Sequence, residues 1–425
     1  MKIAAVNITP IAISDPPVLN AAGLHAPFAL RIILELVTDD GLSGWGEIPG
    51  SEKTRAALEQ AREYVIGKDP FNLNGIFATL ASSAQRDDRG ATSWDQRQWV
   101  HVQSVIEVAC YDLMGKAIGR PVVDLLGGRV RDRVPFAAYL FYKYEGAGGA
   151  FGFGLDENAM GWAAARQRPA LDAAGIVAQA KAMVDHYGFK SIKLKGGVFE
   201  PAIEVETMFA LRDAFGDDVP LRLDPNAVWS VDTAIAWGKK LEGVLEYYED
   251  PVRGQESMGK VGKAVNLPLA TNMCTTAFDD LPGSVRWESE QIILSDHHFW
   301  GGFRASLELA RFCATFGRGM SMHSNSHLGI SLAAMVHLAA AVPNLTYDCD
   351  THYPWQDGAD VVVNPLPFED GEVAVPQTPG LGIEVDRDML ARLHQQYLDC
   401  GLTERNDEIE MRKVEPGWTF QSTRW

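Results

Sequence analysis

Between Gly188 and Ser324 six short apolar runs, SIKLK, PLRLDPN, LEYYEDP, PLATN, QIILSD and GMSMHS, each end in a charged or polar residue. Those residues are Lys193 with Lys195, Asp224, Glu249, Asn272, Asp296 and His323, recurring roughly every 23 to 29 positions. The stretches between them read mostly as amphipathic helix, among them IVAQAKAMVDHYG before the first run, then EVETMFALRDAFG, DTAIAWGKKLEG and FRASLELARFCATFG. A parallel βα repeat has this rhythm, because a crossover helix must carry the chain back before the next strand begins. Strands buried on both faces are almost wholly apolar, so an ionisable residue at the carboxyl end of each is there for something other than packing. In a closed (β/α)8 barrel those ends converge on one mouth. The pattern predicts an α/β fold with a catalytic barrel of this type.

The flanking chain completes the architecture. Residues 2 to about 50 alternate polar and apolar positions in IAAVNITPIAI and FALRIILELVT, with a turn at DDG before LSGWGE, as an antiparallel meander does. Helical patterns follow in SEKTRAALEQAREYV and WVHVQSVIEVACYDLMGKAIG, the second ended by Arg120-Pro121. Residues 1–130 are therefore expected to form an α+β capping domain, and residues 131–365 the barrel. The barrel's first strand is VPFAAYLF, ending near Tyr139, and its eighth is LTYDCDTHY near residues 345–353. The glycine-rich stretch Gly146–Gly154 does not fit a GxGxxG turn opening a helix, and reads as a mobile active-site loop. Residues 366–425 contain no further βα unit and are expected to pack back on the capping domain.

Composition narrows the partners. A chain of 425 residues with 46% hydrophobic positions holds one large and one smaller domain. The net charge of -18 is spread along the chain, which argues against nucleic acid and anionic membrane, since both need a basic footprint. An anionic substrate would have to be held by local cations. Five cysteines without a CxxC pair suit a reducing compartment. MKIAAVNITPIAIS lacks the apolar stretch and cleavage site of a signal peptide, and the most apolar helix, 330–342, contains His337 and is too short for a bilayer. A cytoplasmic protein is expected.

The strand-end residues carry the chemistry. Asp224, Glu249 and Asn272 offer three oxygen donors on consecutive strands, a set suited to a hard cation that keeps open positions for water or substrate; Mg2+ is the first expectation. Any one of them alone reads equally well as a helix cap; three in register do not. Lys193 and Lys195, two apart on a strand, point to one face, where two ammonium groups are expected to depress each other's pKa and make a lysine base. Asp296 and His323 end adjacent strands about 4.8 Å apart, close enough for the carboxylate to orient the ring and stabilise its protonated form. His297, His298 and His327 have less claim: there is no HExxH, and His327 is expected to settle the loop after the seventh strand.

With these residues placed, the sequence closely resembles the enolase superfamily and, within its mandelate racemase-like subgroup, the glucarate dehydratase group. The segments HAPFALR, GEIPGSEK, KLKGG, LDPNAVWS, EDP, ATNM, SDHHFWGG, MHSNSHLGISLA, DTHYPWQ, PGLGIEVD and PGWTF carry the likeness across nearly the whole chain. The resemblance implies Mg2+-dependent dehydration of an aldarate, D-glucarate or L-idarate, with Lys195 and His323 on opposite faces of the α-carbon and Lys193 stabilising the enediolate. Asp296 and Asn226 would complete the catalytic group. Substrate contacts implied by motif are His25, Ser93, Tyr139, Lys193, Asn226, His323, Ser324, Asn325, His352 and Arg405, the last as a forked clamp for the distal carboxylate. A homo-oligomer is implied as well. Two departures stand out. Ser93 takes the place of a usual threonine, and residues 143–166 do not resemble the family's loop, which raises the alternatives of another acid sugar such as galactarate or of racemisation without elimination. A catalytically idle paralogue is a separate alternative, opposed by the presence of every base and metal ligand.

Overall fold

The computed structural model describes residues 1–81, 88–149, 154–356 and 358–425. At the amino terminus, β1 (Ile3–Ser14) is followed by a small hairpin of β2 (Val18–Asn20) and β3 (Gly23–His25), then by β4 (Phe28–Thr38) and β5 (Ser43–Pro49). The long strands form an antiparallel sheet in the order β1-β4-β5. Helix Gln98–Ile118 packs across β5, buried on nearly every side over its first five turns. It comes so close that a Cβ at Gly44 or Gly46 would collide with the backbone at Ala109 or Val105. The helix stops at Gly119, whose left-handed conformation caps its last carbonyls.

After β6 (Arg133–Pro135), seven parallel strands run in chain order around the barrel: β7 (Ala138–Phe141), β8 (Ile192–Lys195), β9 (Leu221–Asp224), β10 (Tyr247–Glu249), β11 (Leu269–Thr271), β12 (Ile292–Leu294) and β13 (Gly319–Ser321). The expected eighth strand is irregular. Residues 345–350 close the ring with separate hydrogen bonds and no continuous ladder: Thr346 and Asp350 donate to Met320 and Met322 on one side, and Cys349 exchanges bonds with Pro135 and Ala137 on the other, each at 2.9 Å. Helix Gly329–Ala341, the most apolar of the chain, is buried at every residue. Among the described residues no helix is long and apolar enough to cross a membrane.

The carboxyl-terminal tail serves both halves, where the sequence pointed to the cap alone. Strands β14 (Phe368–Glu369) and β15 (Glu372–Ala374) extend β6 at the barrel. Helix Arg387–Cys400 lies on β1, with His394 Nδ1 2.7 Å from the carbonyl of Pro10, and helix Asp407–Val414 covers the β2–β3 hairpin. The last residues return to the barrel, where Ser230 N donates to the carbonyl of Trp425.

Candidate active site

The parallel register brings the strand-end side chains to one mouth. Lys195 pairs across from Asp224 in the β8–β9 ladder, and Glu249 from Ala270 in β10–β11, one residue short of Thr271 and two short of Asn272. Asp224 and Glu249 are the last residues of their strands, while Asp296 and His323 each lie two residues past theirs. All are buried or nearly so.

Lys195 Nζ donates to Asp224 Oδ2 at 2.7 Å. Lys193 is fully enclosed, with Nζ 2.6 Å from Glu249 Oε2, 2.6 Å from Asp350 Oδ2 and 3.9 Å from Asp224 Oδ2. The expected mutual depression of the lysines is therefore reversed at Lys193. Burial alone would lower its pKa, but the carboxylates of Asp350 and Glu249 override it and hold the ammonium well above its ordinary value. Asp350 stands in LTYDCDTHY and DTHYPWQ, but the sequence assigns it no role. It lies on the irregular closing segment, and only the closure of the ring sets it against β8.

The oxygen donors suit a hard divalent cation. Asn272 Nδ2 lies 3.0 Å from Glu249 Oε1, so the amide and the carboxylate face each other. Burial and the adjacent Asp224 push Glu249 well above the usual carboxylate range, whereas Lys195 and Lys193 outweigh burial at Asp224 and keep it low. Two enclosed carboxylates that repel one another, with an amide beside them whose oxygen is a further donor, are a set that a bound cation would stabilise.

Asp296 and His323 are brought together, though not as the sequence suggested. His323 Nδ1 lies 3.5 Å from Asp296 Oδ2, within ion-pair range but without a hydrogen bond. Burial, with Lys193 and Lys195 nearby, holds the ring well below its usual pKa, so the imidazole is neutral and not imidazolium. Asp296 is itself pushed up to about 7 by burial, against the backbone N–H groups of Phe299 and His298. The carboxylate lies close to the ring but neither hydrogen-bonds it nor charges it.

One cavity opens above these groups, walled by Lys195 and His323 together with the predicted His25, Ser93, Tyr139, Ser324, Asn325, His352 and Arg405. Lys193 and Asn226 lie beneath the wall, Asn226 with φ +58° and Nδ2 3.4 Å from both oxygens of Asp224. Ser324 Oγ and His352 Nδ1 are 3.0 Å apart. Asn325 Oδ1 accepts from Arg31 Nη1 at 2.8 Å. Tyr139 keeps its hydroxyl without a partner among the described residues. Arg405 gives Nε and Nη2 to Asp407 at 2.7 and 2.6 Å and stacks 4.5 Å over Trp94, so one side of its fork is already occupied. His327 does settle its loop, with Nε2 3.2 Å from Thr351 Oγ1.

Sequence reasoning missed Asn20, Trp94, Phe141 and Phe299 on the wall, and Glu47 behind it. Glu47 of the cap sheet accepts from Arg31 Nε at 2.9 Å and from the backbone of Leu328 and Ser331 at 2.8 and 2.9 Å, tying the cap to the helix that follows His323. The glycine-rich loop is pinned where it is described: Gly146 N donates to Gln167 and Gly149 N to Pro27, at 2.8 and 2.9 Å. Residues 150–153 of that loop lie outside the described residues.

Residues 6–127 match the mandelate racemase / muconate lactonizing enzyme N-terminal domain, and residues 175–389 match the enolase C-terminal domain-like family. A probable glucarate dehydratase of Streptomyces coelicolor is 46% identical over 100% of this chain and 99% of its own. An enolase of Mycobacterium smegmatis, crystallised with formate and acetate, is 50% identical with a TM-score of 0.93, covering 100% of this chain and 98% of its own. An enolase of Pseudomonas fluorescens with bound magnesium, potassium and tartrate is 47% identical with a TM-score of 0.92, over 100% and 99%. On this likeness along its full length, and with the strand-end residues in one mouth, the chain is an enzyme of the enolase superfamily, belonging to its glucarate dehydratase group.

Proposed function

We infer that the protein is a Mg2+-dependent dehydratase of a six-carbon aldarate, D-glucarate and its epimer L-idarate, giving 5-dehydro-4-deoxy-D-glucarate. The observation that carries the reading is that Lys195 and His323 wall one cavity directly above the Asp224, Glu249 and Asn272 donors. The relative of known name and the neighbour holding magnesium with a hydroxylated diacid support the same chemistry.

Asp224, Glu249 and Asn272 would hold the Mg2+, which when bound supplies positive charge to the substrate carboxylate and lowers the cost of the developing negative charge. Lys193, kept charged between Glu249 and Asp350, adds a buried donor for the same charge. His323 is neutral at rest and therefore ready to take the α-proton of one epimer; Lys195 would take it from the other. For the epimer that His323 deprotonates, the same ring returns the proton to the departing β-hydroxyl. For the epimer that Lys195 deprotonates, the ring first takes a proton from solvent to serve as that acid, and Lys195 later releases its own to solvent. The C–O bond then breaks, water leaves, and the resulting enol becomes the ketone. Tyr139, Ser324, His352 and Arg405 would orient the hydroxyls and the far carboxylate.

The test is a panel of aldarates and aldonates with Mg2+, read for new keto product, with α-proton exchange followed in deuterated solvent. Turnover of D-glucarate and L-idarate, abolished by EDTA and restored by Mg2+, is expected. Lys195→Ala should lose one epimer and keep exchange on the other. Turnover of galactarate alone would retain the chemistry and overturn the substrate, and Lys195→Ala acting on both epimers at the original rate would overturn the two-base assignment.

A further inference from the structure

Asp250 follows Glu249 directly, and its buried carboxylate is turned to the loop after β11. Oδ1 accepts from Thr271 Oγ1, and Oδ2 from the backbone N–H groups of Asn272 and Met273 at 2.8 and 3.1 Å. Thr271 Oγ1 accepts in turn from the N–H groups of Met273 and Cys274 at 3.1 and 2.8 Å, so carboxylate and hydroxyl together close the turn that carries Asn272. The main chain beside Asp250 holds the turn after β9. The carbonyl of Asp250 accepts from Ala227 N at 2.6 Å and that of Pro251 from Trp229 N at 3.2 Å, while Asn226 N in the same turn donates to Asp224 Oδ1 at 2.9 Å. One residue thus joins the segments that carry Asp224, Glu249 and Asn272. The backbone is strained at this junction: Asp250 has φ +34°, Asn226 +58° and Ala227 +59°. Left-handed residues other than glycine persist only where their surroundings over-determine them.

We propose that Asp250 is a positioning residue for the divalent cation: by pinning the Asn272 turn and the Asn226 turn to the end of β10, it sets the spacing of the three oxygen donors. The assignment rests on the Mg2+ reading above. It works through geometry, because both oxygens of Asp250 are committed to Thr271, Asn272 and Met273. Mg2+ demands near-ideal octahedral geometry, so donors already in place matter more to it than to the larger and more tolerant Ca2+.

The experiment is calorimetric titration of Mg2+ and of Ca2+ into the protein, without substrate, for the parent, Asp250→Asn, Asp250→Ala and Thr271→Val. Asn tolerates the left-handed backbone, and its Oδ1 can accept from the two N–H groups while its amide N–H turns to Thr271 Oγ1, so this variant keeps the turn and removes the charge. Loss of an outer-shell partner weakens a metal site about 10–100-fold, so Asp250→Ala should bind Mg2+ at least about tenfold more weakly. Thr271→Val should weaken it less, and Asp250→Asn should stay close to the parent. In Asp250→Ala the loss should be larger for Mg2+ than for Ca2+, a change of selectivity that a merely less stable fold would not produce. Parent-like affinity in Asp250→Ala, equal losses for the two ions, or an Asp250→Asn as weak as Asp250→Ala would each overturn the proposal, the last because charge would then be the cause. Should Asp250→Ala not fold, Thr271→Val carries the test, and parent-like Mg2+ binding there overturns it. A parent protein that binds no Mg2+ would refute the metal reading and this assignment together, whereas a parent that binds it, with variants that match it, would refute the assignment alone.

Discussion

Lys193 is the most exacting place to test the electrostatics of this barrel. Its ammonium is fully buried between two carboxylates at 2.6 Å, Glu249 and Asp350, with Asp224 at 3.9 Å. Lys193→Met keeps much of the volume but removes the ammonium that, among the described residues, contacts both Glu249 and Asp350. Taking one partner from a buried ion pair costs about 3–5 kcal/mol, because the remaining charge is left without compensation. Two carboxylates lose their shared partner here, yet Asp350 keeps Arg222 Nη1 at 3.9 Å and burial already lifts Glu249 toward its neutral form, so a single penalty of about that size is the working value. Asp350→Asn alone should cost less, since Lys193 would keep Glu249. The double variant should recover part of the loss, with a coupling energy of about 2 kcal/mol or more. Urea unfolding at equilibrium, without added metal, measures all four corners of the cycle. Additive effects within about 0.5 kcal/mol would refute the reasoning, since residues in one ion-paired network do not act independently.

Two further outcomes test the tie between cap and barrel and the buried charge near the first strand. Glu47→Gln removes a carboxylate that accepts from Arg31 and from two backbone N–H groups, and should destabilise by about 2–4 kcal/mol; a Tm within a degree of the parent would contradict it. Lys143 donates its ammonium to the carbonyls of Tyr144 and Arg168 at 2.6 and 2.8 Å, and burial pushes its pKa down to about 7. The unfolded chain titrates near pH ~10.4 and so binds more protons between the two values. This group's contribution to stability is therefore fully present above the unfolded value and lost as pH falls through about 7. Stability measured from pH 7 to 9 should rise more steeply in the parent than in Lys143→Met, and parallel profiles would count against the shift.

The sequence alone determined what depends on short-range periodicity. The parallel strands, the crossover helices and the polar residue at each strand's carboxyl end are written in local alternation, and a parallel barrel has one mouth to which such ends lead. Asp224, Glu249, Asn272, Lys195 and His323 were legible for that reason, and the family motifs added His25, Ser93, His352 and Arg405 to the same cavity. Only the tertiary structure decided what those groups feel. Lys193 is held charged because ring closure sets Asp350 against it, 157 residues away. His323 is neutral because burial and two ammonium groups outweigh a carboxylate 3.5 Å distant, and Arg405 spends the side of its fork on Asp407. The glycine-rich loop, which along the chain looks merely mobile, lies against the backbone of Asp15 and Pro27. Periodicity along a chain is a local property, whereas charge state and hydrogen-bond commitment depend on burial and on which distant groups are brought within a few ångströms, and no spacing in the sequence encodes that distance.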